Sequence, residues 1–155
     1  MVRALRVARL VGLFALVVIL TSGCAGENKS GLPRYKAHGK LLVKGKPLEG
    51  VQVVLFSTDA AREKENEANH IARPSGLTDA EGNFTLGISG DDKGAPAGEY
   101  KVVLTYHAQR GMGNTHTGSK LGSAITSQYG NPKTTPFQVK IGEGPDNELP
   151  TIKVP

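Results

Sequence analysis

The side chains able to do covalent or metal chemistry are few, and their spacing narrows the choice. The 155 residues hold one cysteine, Cys24, and four histidines. A single thiol excludes an intrachain disulfide and any zinc cluster built on cysteines. Nucleophilic hydrolysis would favour a serine on a Gly-x-Ser-x-Gly elbow, and zinc hydrolysis a His-Glu-x-x-His helix; neither pattern occurs. Asp79, Glu81 and Asn83 alternate like calcium ligands. An EF-hand loop, however, needs glycine at its sixth position and glutamate at its twelfth. Counted from Asp79, Gly82 is fourth and Gly90 is twelfth, so turn formation is the expected role. Asp91 and Asp92 are adjacent in a loop, whereas acid–base work needs carboxylates converging across a cleft. Solvation is expected for both.

Cys24 is distinguished by what precedes it. Arg3, Arg6 and Arg9 are followed by an uncharged run over 10–20, then by Ser22 and Gly23. A spanning helix needs ~20 apolar residues; this run is short and reads as a secretory signal. The lone cysteine closing it resembles the bacterial lipoprotein signal, or lipobox. The resemblance implies cleavage before Cys24, a diacylglycerol on its thiol and an acylated amino terminus. Each buried CH₂ contributes ~0.8 kcal/mol of membrane affinity, and two or more chains make anchoring stable. The usual lipobox has leucine three residues before the cysteine; here Thr21 stands there and Leu20 lies one step further back. An ordinary cleaved signal or an uncleaved anchor, each with a free Cys24, are the alternatives. No acid directly follows Cys24, the order being Ala25, Gly26, Glu27. By the sorting rule of such lipoproteins this points to the outer rather than the inner membrane.

The signal also changes the charge balance. Three of the 19 Lys+Arg precede Cys24 and all 14 Asp+Glu follow it, leaving 16 against 14 and a net charge of +2 rather than +5. No basic stripe with interleaved aromatics occurs, so nucleic-acid binding lacks its electrostatic footprint.

The elements that must position any site read as strands and turns. Residues 25–35 are polar and Gly/Pro-containing, and read as a tether. Strands are expected at 37–43, 51–56, 99–106, 136–141 and 149–154, where apolar and β-branched residues run or alternate. Gly45 and Pro47 supply a turn after the first strand. Asp79 and Gly82 set a turn inside a hairpin spanning 76–88. A helical turn around 62–68 is possible, its charges expected to be solvated. Residues 107–128 are rich in Gly, Ser and Thr. They read as a long structureless loop, and such loops are usually functional or mobile. About seven strands and no firm helix argue for one antiparallel β-sandwich.

Four stretches, 39–56, 78–86, 94–106 and 125–141, resemble small bacterial envelope lipoproteins with a transthyretin-like, carboxypeptidase-regulatory-like domain. The strand followed by Lys-Gly-Lys-Pro-Leu and the Thr-Asp-x-x-Gly-x-Phe turn carry most of the likeness. Gly98 and Tyr100 fall where that family enters its next core strand. The resemblance implies an all-β, seven-stranded, prealbumin-like Greek-key sandwich and no particular activity. It divides the chain into a signal peptide (1–23), a lipidated terminus and tether (24–36) and the sandwich (37–155). The family often has proline where Thr126 stands. Transthyretin-like hydrolases share the fold, but their closing Tyr-Arg-Gly-Ser is absent; the chain ends Thr151-Ile152-Lys153-Val154-Pro155. Intradiol dioxygenases hold iron with two Tyr and two His. Tyr106, His107, His116 and Tyr129 offer the types without that family's His-x-His spacing.

The expectation is a non-catalytic, lipid-anchored envelope protein with Cys24 as attachment site, no cofactor and no metal. It would reach the membrane through acylated Cys24 and an envelope protein or glycan through its sandwich. A carbohydrate- or peptide-binding module using loop 107–128 is the second reading. A transthyretin-like hydrolase or metal-dependent enzyme is the third.

Overall fold

The computed structural model describes residues 31–91, 93–107 and 116–155. The first strand organises one of two sheets. In β1 (Lys36–Val43) Ala37, Gly39, Leu41 and Val43 are buried, while Lys36, His38 and Lys40 face outward. Side chains of a strand alternate between faces, so this period-two pattern sends one row to the core. Both edges of β1 are used. Along one run β5 (Asn83–Thr85) and the short β2 (Lys46–Pro47), antiparallel; along the other run β8 (Asp146–Glu148) and β9 (Ile152–Val154), parallel. The second sheet has the order β4 (Ser75–Leu77), β3 (Val51–Ser57), β6 (Gly98–Tyr106), β7 (Gln138–Ile141). Leu41, Val43, Phe84, Ile152 and Val154 from the first sheet share one apolar cluster with Val51, Val53, Leu55, Val102 and Leu104 from the second.

The architecture is therefore mostly strand, but nine strands in two sheets replace the expected seven, and two pairings are parallel. The two additional strands, β2 and β8, are very short. β2 is an edge strand of two residues, which suits Pro47, since an edge position needs no amide on its outer side. β8 lies between the expected strands 136–141 and 149–154. Asn147 holds it there: its Nδ2 donates to Lys36 O at 3.1 Å and its Oδ1 accepts from Gly142 N at 2.9 Å.

The expected hairpin over 76–88 is split. Its arms meet at the base, where Ser75 and Gly87 exchange hydrogen bonds, and at the tip, where Asp79 N donates to Asn83 O. Between these points β4 joins β3 and β5 joins β1, so the arms belong to different sheets. Gly76 permits the close crossing, because a Cβ there would overlap the Thr85 carbonyl oxygen. Thr78 secures the junction from inside the protein. Its hydroxyl donates to Leu48 O at 2.7 Å and accepts from Val51 N at 2.9 Å, so this buried polar group is satisfied.

One helix extends the helical turn read around 62–68, and a second replaces an expected loop. α1 (Ala60–Ala68) buries no residue. It is held by polar anchors: Asp59 caps it through Ala61 N and Arg62 N, Glu63 accepts from Ser57 N, and Arg73 donates to Glu63 and Glu67. Arg73 also lies 4.3 Å over the Phe56 ring, a cation–π contact. Its charges are thus partly committed rather than simply solvated.

α2 (His116–Tyr129) corrects the reading of 107–128 as a structureless loop over 116–128; residues 108–115 lie outside the described residues. Leu121, Ile125 and Tyr129 follow one another at four-residue spacing, one stripe of a helix. Ile125 and Tyr129 are buried in the core cluster, and Tyr129 meets Phe137 with ring centroids 5.1 Å apart. β7 pairs with β6 only over Gly98–Lys101, and α2 runs alongside the remainder. There Thr126 Oγ1 accepts from Tyr106 N at 2.9 Å, as a neighbouring strand otherwise would. Gly and Ser lower helix propensity, so local sequence alone under-reports α2.

Candidate functional site

The turn residues singled out in the sequence serve the scaffold. Lys44 and Gly45 have φ of 52° and 78°, the paired positive values of a two-residue hairpin turn. Pro47 follows on β2. Asp79 Oδ1 accepts from Glu81 N at 3.0 Å and from Asn83 N at 2.8 Å, so that carboxylate is occupied by its own turn. Gly82, with φ of 78°, gives its carbonyl to Leu41 N at 2.8 Å and docks the turn on β1. Gly98 opens β6 with φ of 152°, and a Cβ there would stand 3.1 Å from Arg62 Nη1. Cys24 lies outside the described residues.

The residues considered for iron do not come together among those described. His107 Nε2 sits 2.7 Å from Gln52 Oε1. Tyr106 packs against the core near Gly122, and Tyr129 is buried beside Phe137. The side chain of His116 lies outside the described residues. Among the described residues no three His, Cys, Asp or Glu side chains are grouped to hold a metal.

Asp91 has a role that its loop position conceals; Asp92 lies outside the described residues. Arg34 Nη1 approaches Asp91 Oδ2 at 2.8 Å, and the amides of Ile88 and Lys93 donate to Oδ1 at 3.1 and 3.2 Å. Burial works against the ionised form, but the two amides and the Arg34 guanidinium outweigh it and hold the carboxyl below its ordinary value. A depressed folded-state pKa contributes stability above the unfolded value that is lost as pH falls through the folded one. The stability gap between wild type and Asp91→Asn is therefore expected to be full above about pH 5 and to shrink in more acidic solution. Urea titrations at several pH values measure it; a gap unchanged near pH 3 would contradict the assignment.

This ion pair fastens a strap, residues 31–35, onto the domain. Tyr35 exchanges backbone hydrogen bonds with Ala95 at 2.9 and 3.0 Å. The far end of the expected tether (24–36) is thus bonded to the body, and Lys36 already belongs to β1.

Between the strap and α1 lies a groove of about 470 Å³. Its apolar surface comes from Leu32, Pro33 and Tyr35 on one side and from Pro96 and Ala97 below. Asp59 lines it as the cap of α1, Glu65 from the helix itself and Glu143 from the segment after β7. Arg62 is the one cation of the lining, and its Nη1 donates to Ala97 O at 3.0 Å. The size is that of a ligand cleft, and four of the ten lining residues are charged. Tyr100, below it, donates its hydroxyl to Pro96 O at 2.7 Å; burial, the larger influence, raises its pKa.

No protein-family model, curated protein or solved structure matches this chain.

The groove was not legible as a site in the sequence. Its residues come from four separated stretches, and none carries a recognised motif. The only local signals were Pro33 and Pro96, which read as ordinary loop residues. Arg62 and Glu65 read as a solvated face.

Proposed function

We propose that this protein is an exported, lipid-anchored component of the bacterial cell envelope whose β domain is a non-catalytic interaction module. The observation that carries the reading is the placement of the only cysteine, Cys24, after three arginines and a short apolar run. The four stretches resembling transthyretin-like, carboxypeptidase-regulatory-like lipoproteins support the same reading. So does a core shared by two sheets. Ile125, Thr126 and Tyr129 of α2 are engaged with the core and β6, and 108–115 lie outside the described residues; the groove beside the strap is taken as the contact surface.

The test is metabolic labelling with an alkyne fatty acid followed by detergent phase partition. Wild type is expected to incorporate label and enter the detergent phase, and Cys24→Ala to lose both properties. Label retained by Cys24→Ala, or wild type left in the aqueous phase with an unmodified sulfur, would overturn the reading.

A further inference from the structure

We infer that the groove between the strap and α1 binds an extended peptide segment that presents a lysine or arginine side chain. The inference deepens the reading of an interaction module and rests on it. Three independent features of the groove converge on this occupant.

The first is apolar surface left uncovered. Leu32 is 43% exposed, one of two large hydrophobic side chains so exposed among the described residues. It stands at the groove beside Pro33 and Tyr35, opposite α1. Apolar surface of this kind is stabilised by whatever removes it from water.

The second is an unpaired backbone. Tyr35 is bridged to Ala95, but among the described residues the backbone of 32–34 makes no hydrogen bond. Pro33 has no N–H, so the groups left open are the amides of Leu32 and Arg34 and the carbonyls of 32–34; an extended chain lying in the groove can pair with them, as main-chain pairing does in strand-like peptide recognition. A compact small molecule would leave those groups unused, and this favours a peptide.

The third is charge. Asp59, Glu65 and Glu143 set three carboxylates around the groove against the single Arg62 guanidinium. Arg62 is already donating to Ala97 O. Glu65 and Glu143 are exposed and make no ion pair among the described residues. The net field favours a cation, and an acidic peptide would be repelled. Asp59 is partly committed to capping α1, so Glu65 and Glu143 carry the preference.

The experiment uses the full-length chain in detergent and fluorescence anisotropy. The probes are a dye-labelled peptide alternating valine with lysine and its counterpart alternating valine with glutamate. Saturable binding of the lysine peptide is expected, weakened about tenfold in Glu65→Gln/Glu143→Gln and again in about 0.5 M salt. Both substitutions are at exposed positions, so the fold is preserved, which circular dichroism checks. Glu49→Gln, away from the groove, is expected to change nothing. Equal binding of the two peptides, an undiminished affinity in the double variant, or no saturation up to about 1 mM peptide would overturn the inference. Binding in detergent does not depend on acylation of Cys24. Failure here therefore leaves the labelling result standing, and failure of the labelling leaves this result standing.

Discussion

The Gly94→Ala substitution is expected to destabilise the domain by about 3 kcal/mol or more, while Gly90→Ala costs only about 1 kcal/mol. Both glycines have φ of 85°, a conformation disfavoured for any residue with a Cβ. They differ in what surrounds them. At Gly90 an added Cβ meets nothing within 4 Å, whereas at Gly94 it would overlap the Tyr35 carbonyl oxygen and stand 2.8 Å from Lys36 Cα. The pair of variants therefore separates backbone strain from steric contact. The contact lies where the strap is bridged to Ala95, so relief at position 94 requires the strap to lift. Lifting it breaks the Tyr35–Ala95 hydrogen bonds and disturbs the Arg34–Asp91 ion pair. Urea unfolding midpoints measure both effects. Equal losses in the two variants would mean that Tyr35 does not approach Gly94 as described. Because the strap forms one wall of the groove, Gly94→Ala is also expected to weaken peptide binding before the domain unfolds.

Truncating the apolar stripe of α2 should have a comparable effect. Ile125→Ala is expected to cost about 3 kcal/mol, within the range for deleting a buried aliphatic side chain. Ile125 is 2% exposed and lies in the core cluster. Ser127→Ala, on the exposed side of the same helix, is expected to be neutral or slightly stabilising, since alanine has the higher helix propensity. Loss of Ile125 also loosens Thr126, whose hydroxyl bridges Gly122 O and Tyr106 N. Amide exchange at Tyr106 is then expected to rise more than exchange at Leu55 or Val102 in the sheet interior. Denaturant titration and hydrogen exchange measure these two consequences. An Ile125→Ala variant as stable as wild type would mean that 116–129 behaves as the solvated loop its composition suggests.

The two variants probe the same weakness from different sides. Within each sheet, continuous ladders hold strand to strand. The strap at one place and α2 at another are held instead by a few contacts between segments distant in sequence. Arg34 and Asp91 are 57 residues apart, and Tyr106 N reaches Thr126 across 20. Such contacts break locally at lower free energy than the core strands. That makes these two segments the places where a partner or a mutation acts first.

What the sequence determined by itself follows from local rules. Alternation placed β1, β6 and β7 within a residue or two, because side chains of a strand face opposite ways at every step. The apolar run at 51–56 placed β3. Lys44-Gly45 and Asp79–Gly82 marked turns, because positive φ and side-chain-to-amide bonding are properties of the residue and its immediate neighbours. The pattern around Cys24 is local in the same sense. Tertiary structure alone decided which strands pair. The parallel run of β8 and β9 beside β1 depends on a chain crossing between sheets, to which no local spacing is sensitive. It also split the 76–88 hairpin between two sheets, through contacts on Gly76 that hydrophobic periodicity does not encode. It made a helix of the Gly- and Ser-rich 116–129, where burial of Ile125 and Tyr129 outweighs poor propensity. The groove belongs to the same class: its walls come from residues dozens of positions apart, and only the packing of the strap beside α1 brings them to one place.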